Sequence, residues 1–277
     1  MIFWIIISAS IILVISAIFL GASPTVPDVW FGISFLALSI GATLLGSMVG
    51  LGGGLVIAPV LVLMGLPPPV AASSSLAATL SNAVTSSVVY AKQGRIDYRQ
   101  ALKLGLLAMP GSVLGAVVSA DANITLFRIL LGIALLLASI YVFIKPRLSK
   151  HPPRSSAMIL VLSTTASFFA GVISSFFGIG GGVIFVPILI ILVGMSMMRA
   201  ASTSMFAILL TSIVGMATHG TLGNSDAVLI LVLSTGGLVG GMLGAKLSLV
   251  VGERYLRILA VITLVGASLK LFWDSIT

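Results

Sequence analysis

Cysteine is absent from the chain, which excludes disulfides, thiolate zinc sites and thiol nucleophiles. Charge is nearly absent too: Asp, Glu, Lys and Arg together make 7% of the 277 residues, where soluble domains carry roughly a quarter. The two histidines, His151 and His219, are too few for a histidine metal cage, and no cofactor is implied. The glycine-rich runs lack the Lys-Ser/Thr that follows in a phosphate loop. No Lys or Arg precedes the apolar run Ile2–Leu20, as the start of a secretory leader requires. Despite the cleavage-like Gly21-Ala22-Ser23, that run therefore reads as a retained membrane helix. Without thiols, histidine clusters or a buried carboxylate pair, the chain does not read as an enzyme.

What is present is apolar. Hydrophobic residues make 59% of the chain, more than one soluble core of this length hides, so the expected solvent is the lipid bilayer. The formal charge of +8 would suggest nucleic acid in a soluble protein. Here the basic residues cluster in short polar connections, the pattern of the positive-inside rule, and no nucleic-acid partner is expected. Spanning the hydrocarbon takes roughly 20 apolar helical residues. The stretches that qualify are 2–21, 30–50, 70–91, 103–119, 123–144, 157–177, 200–218, 227–249 and 254–272. Two more, 54–65 and 182–193, are too short to span comfortably, and each follows a glycine cluster.

The halves repeat. Gly50-Leu51-Gly52-Gly53-Gly54 with Pro59 returns 128 positions later as Gly178-Ile179-Gly180-Gly181-Gly182 with Pro187. Ala71-Ala72-Ser73-Ser74-Ser75 returns 129 positions later as Ala200-Ala201-Ser202-Thr203-Ser204, and the same shift carries Gly94 to Gly223, Asp97 to Asp226 and Arg128 to Arg257. The expected division is an N-terminal transmembrane helix and outer loop (1–29), a first membrane repeat (30–144), a basic linker (145–156) and a second membrane repeat (157–277).

Basic residues orient the repeats. Lys92, Arg95, Arg99 and Lys103 crowd one connection of the first half, and the matching connection, His219 to Asp226, has no Lys or Arg. The link Lys145–Arg154 is basic, whereas the loops at Asp28 and Asp121 are not. Placing basic connections in the cytoplasm puts 91–103, 145–156 and 249–254 inside, and 22–29, 119–123, 219–226 and the C-terminus outside. The N-terminus is then cytoplasmic in a multi-pass protein of the cell membrane. Equivalent loops fall on opposite sides, so the expected fold is an all-α polytopic membrane protein. It has two inverted-topology repeats of about five helical segments each, an extra N-terminal helix, and glycine-broken short helices near the midplane. The sequence at 54–65 and 182–193 fits either short crossing helices or re-entrant hairpins.

Inverted repeats with interrupted helices are the pattern of secondary transporters, with substrate at the midplane between the repeats. Gly50, Gly52, Gly53 and Gly54, with Gly178, Gly180, Gly181 and Gly182, are the breaks. Irregular backbone at that depth must be buried in protein or line a wet cavity. Short helices starting near Gly54 and Gly182 would aim partial positive charge at an anion, although glycine clusters also serve plain helix packing. Hydroxyl and amide donors can hold an oxyanion without a buried permanent charge. Those expected at the site are Ser47, Thr79, Asn82 and Thr85 in the first half and Ser174, Ser175, Thr211 and Ser212 in the second. Asn82 is the costliest to bury unpaired, and its repeat partner is Thr211. Ser73–Ser75 and Ser202–Ser204 follow helix starts and read equally well as caps. Lys92, Arg95 and Arg99 read as topology signals, and His219 as an interfacial residue and only weakly as a proton-coupling group.

The two glycine-proline motifs, the Ala-Ser-rich stretches after them and the turn Tyr90-Ala91-Lys92-Gln93-Gly94-Arg95-Ile96-Asp97 resemble those of the TauE/SafE sulfite exporter family over roughly residues 30–272. The resemblance implies transport, usually export, of sulfite, sulfonates such as sulfoacetate, or related organic sulfur anions, with the matching glycines as functional positions. An anion channel, or an uptake permease for another small oxyanion or carboxylate, is the competing reading. The coupling ion, proton or sodium, and a homo-oligomeric state are not written in the sequence.

Overall fold

A computed structural model describes residues 29–144 and 156–250, and near the end of the chain 261, 265–266, 268–269 and 271–273. The expected helix at 2–21, all of the linker 145–156 but its last residue, most of the helix at 254–272 and both termini lie outside the described residues.

Among the described residues there are only helices, in the order α1 (Val29–Val49), α2 (Gly54–Leu63), α3 (Pro68–Lys92), α4 (Tyr98–Ala120), α5 (Ile124–Ile144), α6 (Ser156–Phe177), α7 (Gly182–Pro187, continued by a π-turn over Ile188–Leu192), α8 (Met197–Thr221) and α9 (Ala227–Leu247). Four of them, at 32–49, 98–120, 197–221 and 227–247, are long and apolar enough to cross a membrane. The 25-residue α3 is more polar. It survives in an apolar bundle because it lies at the centre: Ser73, Ser74, Ser75, Thr79, Asn82 and Ser86 are all fully buried, and α3 is flanked chiefly by α8 and α9.

The packing is reciprocal between halves. The fourth helix of each half lies along the first helix of the other: α4 packs on α6, and α9 packs on α1. Small residues permit the close approach. Gly111 and Gly115 of α4 meet Phe168 and Val172 of α6, while Gly236, Gly240 and Gly244 of α9 meet Ser39, Thr43 and Ser47 of α1. The central helices α3 and α8 run antiparallel. Ser73 near the start of α3 meets Ser225 just beyond α8 (3.2 Å), and the carbonyl of Arg95 just beyond α3 accepts from Ser202 near the start of α8 (2.9 Å).

Helix ends follow from glycine. Gly50 (φ 79°) and Gly178 (φ 74°) occupy left-handed backbone that side chains avoid. The amides just beyond them, Leu51 and Ile179, donate back to Gly46 O (2.9 Å) and Ser174 O (3.1 Å), which closes α1 and α6. Asp97 and Asp226 begin α4 and α9, their carboxylates accepting from the amides of Gln100 (3.2 Å) and Leu229 (3.0 Å).

The short helices turn back. Gly54, opening α2, lies against Thr79 in the middle of α3, and α2 ends at Leu63, just before α3 begins at Pro68. Ten residues at about 1.5 Å each reach about 15 Å, half the hydrocarbon depth. Likewise Gly182, opening α7, lies against Ile208 in the middle of α8.

Candidate functional site

Two glycine breaks interlock at the centre of the bundle. A methyl group placed on Gly182 would sit 2.6 Å from the carbonyl oxygen of Gly50 and 2.7 Å from Leu51 Cα; one on Gly54 would meet the carbonyl of Gly178 and stand 2.7 Å from Ile179 Cα. Gly52 (φ 75°) and Gly180 (φ 84°) hold left-handed backbone as well, and both lie against the Thr79 methyl and the Ile208 side chain. The glycines therefore have two jobs, permitting the backbone turn and permitting contact between the halves. One difference separates the breaks: Gly181 is left-handed (φ 75°), whereas Gly53 is not (φ −89°).

Serines pin the breaks from the opposite half. Ser75 Oγ of α3 donates to Gly178 O at 2.8 Å, and Ser204 Oγ of α8 donates to Gly50 O at 2.8 Å. The capping expectation for these serines is therefore corrected. Their helices begin at Pro68 and Met197, so Ser75 and Ser204 lie two turns inside and satisfy carbonyls that the irregular backbone would leave bare.

The expected donors divide into two sets. Ser47, Thr85 and Thr211 return their protons to their own helices, at Leu44 O (3.0 Å), Ser81 O (3.2 Å) and Ile208 O (3.0 Å). Ser175 Oγ pairs with Ser112 Oγ at 2.6 Å. The other four, Thr79 Oγ1, Asn82 Nδ2 and Oδ1, Ser174 Oγ and Ser212 Oγ, are buried with no hydrogen-bond partner. Thr79 touches three break glycines, Gly52, Gly54 and Gly180, and Ser174 stands beside Gly181. Asn82 lies one helical turn beyond Thr79, facing Gly241 of α9, and Ser212 one turn beyond Ile208. The repeat partner of Thr79 is Ile208, so at this level the first half offers a hydroxyl where the second offers only hydrocarbon. Between Arg199 and His219 of α8, and throughout α1, α6 and α7, no charged residue occurs.

At one end of the bundle an arginine ties the halves together. Arg95 stacks on the Tyr90 ring (4.8 Å) and donates to Gln93 Oε1 (2.9 Å), Ser248 Oγ (2.9 Å) and Met198 O (3.1 Å). The Asp97 amide donates to Thr203 Oγ1 (3.1 Å), and Arg199 pairs with the Asp97 carboxylate (3.6 Å). Burial pulls the Arg95 guanidinium below its usual pKa, partly offset by Tyr90; guanidinium stays charged regardless. Arg95 is thus more than a topology signal.

His219 overturns the interfacial expectation. It is fully buried, and its Nε2 lies 3.0 Å from the carbonyl of Ser175. The repeat shift maps Tyr90 onto His219 and Ser47 onto Ser175, and Tyr90 Oη donates to Ser47 O at 2.8 Å. The 129-residue shift that relates the two halves pairs Tyr90 with His219 in the sequence itself. No group of metal-ligating side chains occurs among the described residues.

The model of the family described as Sulfite exporter TauE/SafE matches residues 34–271. Relatives include the probable membrane transporter protein YunE of Bacillus subtilis, 28% identical over 87% of this chain and 97% of its own length. A probable membrane transporter protein of Xylella fastidiosa (strain Temecula1) is 30% identical over 78% of this chain and 86% of its own. One of Haemophilus influenzae is 23% identical over 80% and 88%. No solved structure matches the chain.

Proposed function

The chain belongs to the sulfite exporter TauE/SafE family, a family of membrane transporters, and we propose that it exports a small sulfur-containing anion, sulfite or an organosulfonate, through a site between two inverted halves. The observation that carries this reading is the set of buried donors without protein partners, Thr79, Asn82, Ser174 and Ser212, around and one turn beyond the interlocked breaks. An unmet buried donor costs about 1–3 kcal/mol, and natural proteins keep few of them. An oxyanion offers several acceptors to neutral donors, and neutral donors avoid the cost of a permanent charge in lipid.

The inverted arrangement is supported by antiparallel α3 and α8, by the crossed pairings α4–α6 and α9–α1, and by the reciprocal serine bonds to the breaks. Two halves related in this way can rock about a shared site and expose it to each side in turn. The many contacts of Arg95 favour closure of its end in the state described. Basic residues at that end, Lys92 to Lys103, support a cytoplasmic location for it.

The test is flux in proteoliposomes holding the purified chain, with labelled sulfite, sulfoacetate, sulfate and a carboxylate. Saturable uptake of a sulfur anion, accelerated by the same anion trapped inside, is the expected result. Unsaturable, voltage-driven currents would replace the carrier with a channel, and a panel in which no sulfur anion moves would refute the substrate assignment.

A further inference from the structure

Resting on the transport reading above, we propose that His219 is the proton-binding residue of this carrier, its imidazole taking up a proton at Nδ1 as the anion occupies the site. The geometry begins at Nε2, 3.0 Å from the carbonyl oxygen of Ser175. A carbonyl only accepts, so Nε2 carries the hydrogen and the neutral ring keeps a lone pair on Nδ1. That Nδ1 is buried without a partner. A structural role does not require it. In the other half the equivalent position is Tyr90, which makes the same bond, hydroxyl to the carbonyl of Ser47 at 2.8 Å, and has no second nitrogen. Histidine here adds one thing to the repeat's frame, a proton acceptor in the interior.

The ring is wired to the donor cluster. Ser175 follows Ser174, one of the unpartnered donors. The Ser112 hydroxyl donates to Thr211 O at 2.8 Å, so the 2.6 Å contact between Ser112 and Ser175 is filled by the Ser175 proton. A change in the ring's charge therefore acts on α6, α4 and α8 through His219, Ser175, Ser112 and Thr211.

Among the described residues, no side-chain charge is set to neutralise an imidazolium there. Helices α1, α6 and α7 and the π-turn, all packed on α8, hold no titratable residue. On α3 these are Tyr90 and Lys92, on α4 Tyr98, Arg99 and Lys103, and on α8 itself Arg199, all at the Arg95 end, whereas His219 closes the opposite end of α8. In the turns at that opposite end stand Asp121 and Asp226, and the Asp226 carboxylate is engaged by the Leu229 amide (3.0 Å). A buried cation without a counter-charge is strongly disfavoured. A substrate anion supplies that counter-charge, so proton and anion each raise the other's occupancy, and the linkage is reciprocal.

The test compares wild type, His219→Tyr and His219→Gln in proteoliposomes, with labelled sulfite or sulfoacetate, whichever the wild type accumulates. Tyrosine restores the residue of the other half, and glutamine keeps a donor. The readout is the ratio of initial rates at about pH 6 and about pH 8, across which an ordinary imidazole changes its charged fraction by roughly tenfold or more. Sulfite's own ionisation is common to all three proteins and cancels in the comparison. A wild-type ratio several-fold away from that of both variants is expected; a wild-type ratio equal to that of either active variant overturns the proposal. If both variants are inactive, the decision passes to 15N-histidine NMR of the wild type, with exposed histidine in short peptides as reference. Protonation of His219 at higher pH when the anion is present supports the proposal, and an unshifted titration overturns it. A wild type that moves no sulfur anion refutes the functional reading instead, a result distinct from either.

Discussion

Ser75 and Ser204 stand in a crossed relation: each donates its hydroxyl at 2.8 Å to the carbonyl that closes the other half's glycine break, Gly178 and Gly50 respectively. Both carbonyls are buried where no regular helix partner exists, and Ser204→Ala or Ser75→Ala leaves one unmet. Each variant should lose about 1–3 kcal/mol of stability, seen as a lower thermal unfolding midpoint in detergent. Because the two breaks touch, the double variant should depart from additivity by about 0.5–3 kcal/mol. Additive effects within error would mean the breaks are not one mechanical unit.

Glycines with different neighbours should respond differently. At Gly182 an added methyl meets Gly50 O at 2.6 Å and Leu51 Cα at 2.7 Å, both backbone; at Gly94 (φ 65°) it meets nothing within 4 Å. Gly182→Ala should therefore push the halves apart and abolish flux. Gly94→Ala should cost only the left-handed backbone penalty of about 1–2 kcal/mol and leave flux largely intact. Equal flux in the two variants would contradict a role for the break contact.

Asn82 sets stability against function. Both of its amide atoms are buried and unpartnered, so Asn82→Leu, close in size, removes that burden. It should raise stability by about 1–3 kcal/mol while transport falls to background. A variant that is less stable and still transports would remove Asn82 from the site.

Arg95 should hold its end of the bundle shut. The chain has no cysteine, so Thr79→Cys, placed beside the breaks, is the only thiol and can be followed directly. With Arg95→Gln the contacts to Ser248, Met198 and the Tyr90 ring weaken. Labelling by a membrane-impermeant maleimide from the Arg95 side should speed up several-fold, and an unchanged rate would rule out the latch.

The sequence by itself determined the helices, the duplication and the pairing of the glycine breaks, because these are local or periodic properties. Apolar length sets a membrane helix, glycine ends it, and a shift of 128 or 129 positions survives in the order of residues. It also placed Asn82 and Thr79 among the interior polar groups, since a polar residue in an apolar helix is rare enough to stand out. Only the tertiary structure decided which hydroxyls are already occupied. Ser47, Thr85 and Thr211 bond their own helices, Ser75 and Ser204 reach across to the other half, and Ser174 and Ser212 keep their protons free. Those outcomes depend on which face of each helix meets which neighbour, and a hydroxyl can satisfy either partner equally well from sequence alone. His219 marks the same limit: at the end of an apolar helix it reads as interfacial, and the packing of α6 against α8 is what buries it on the carbonyl of Ser175.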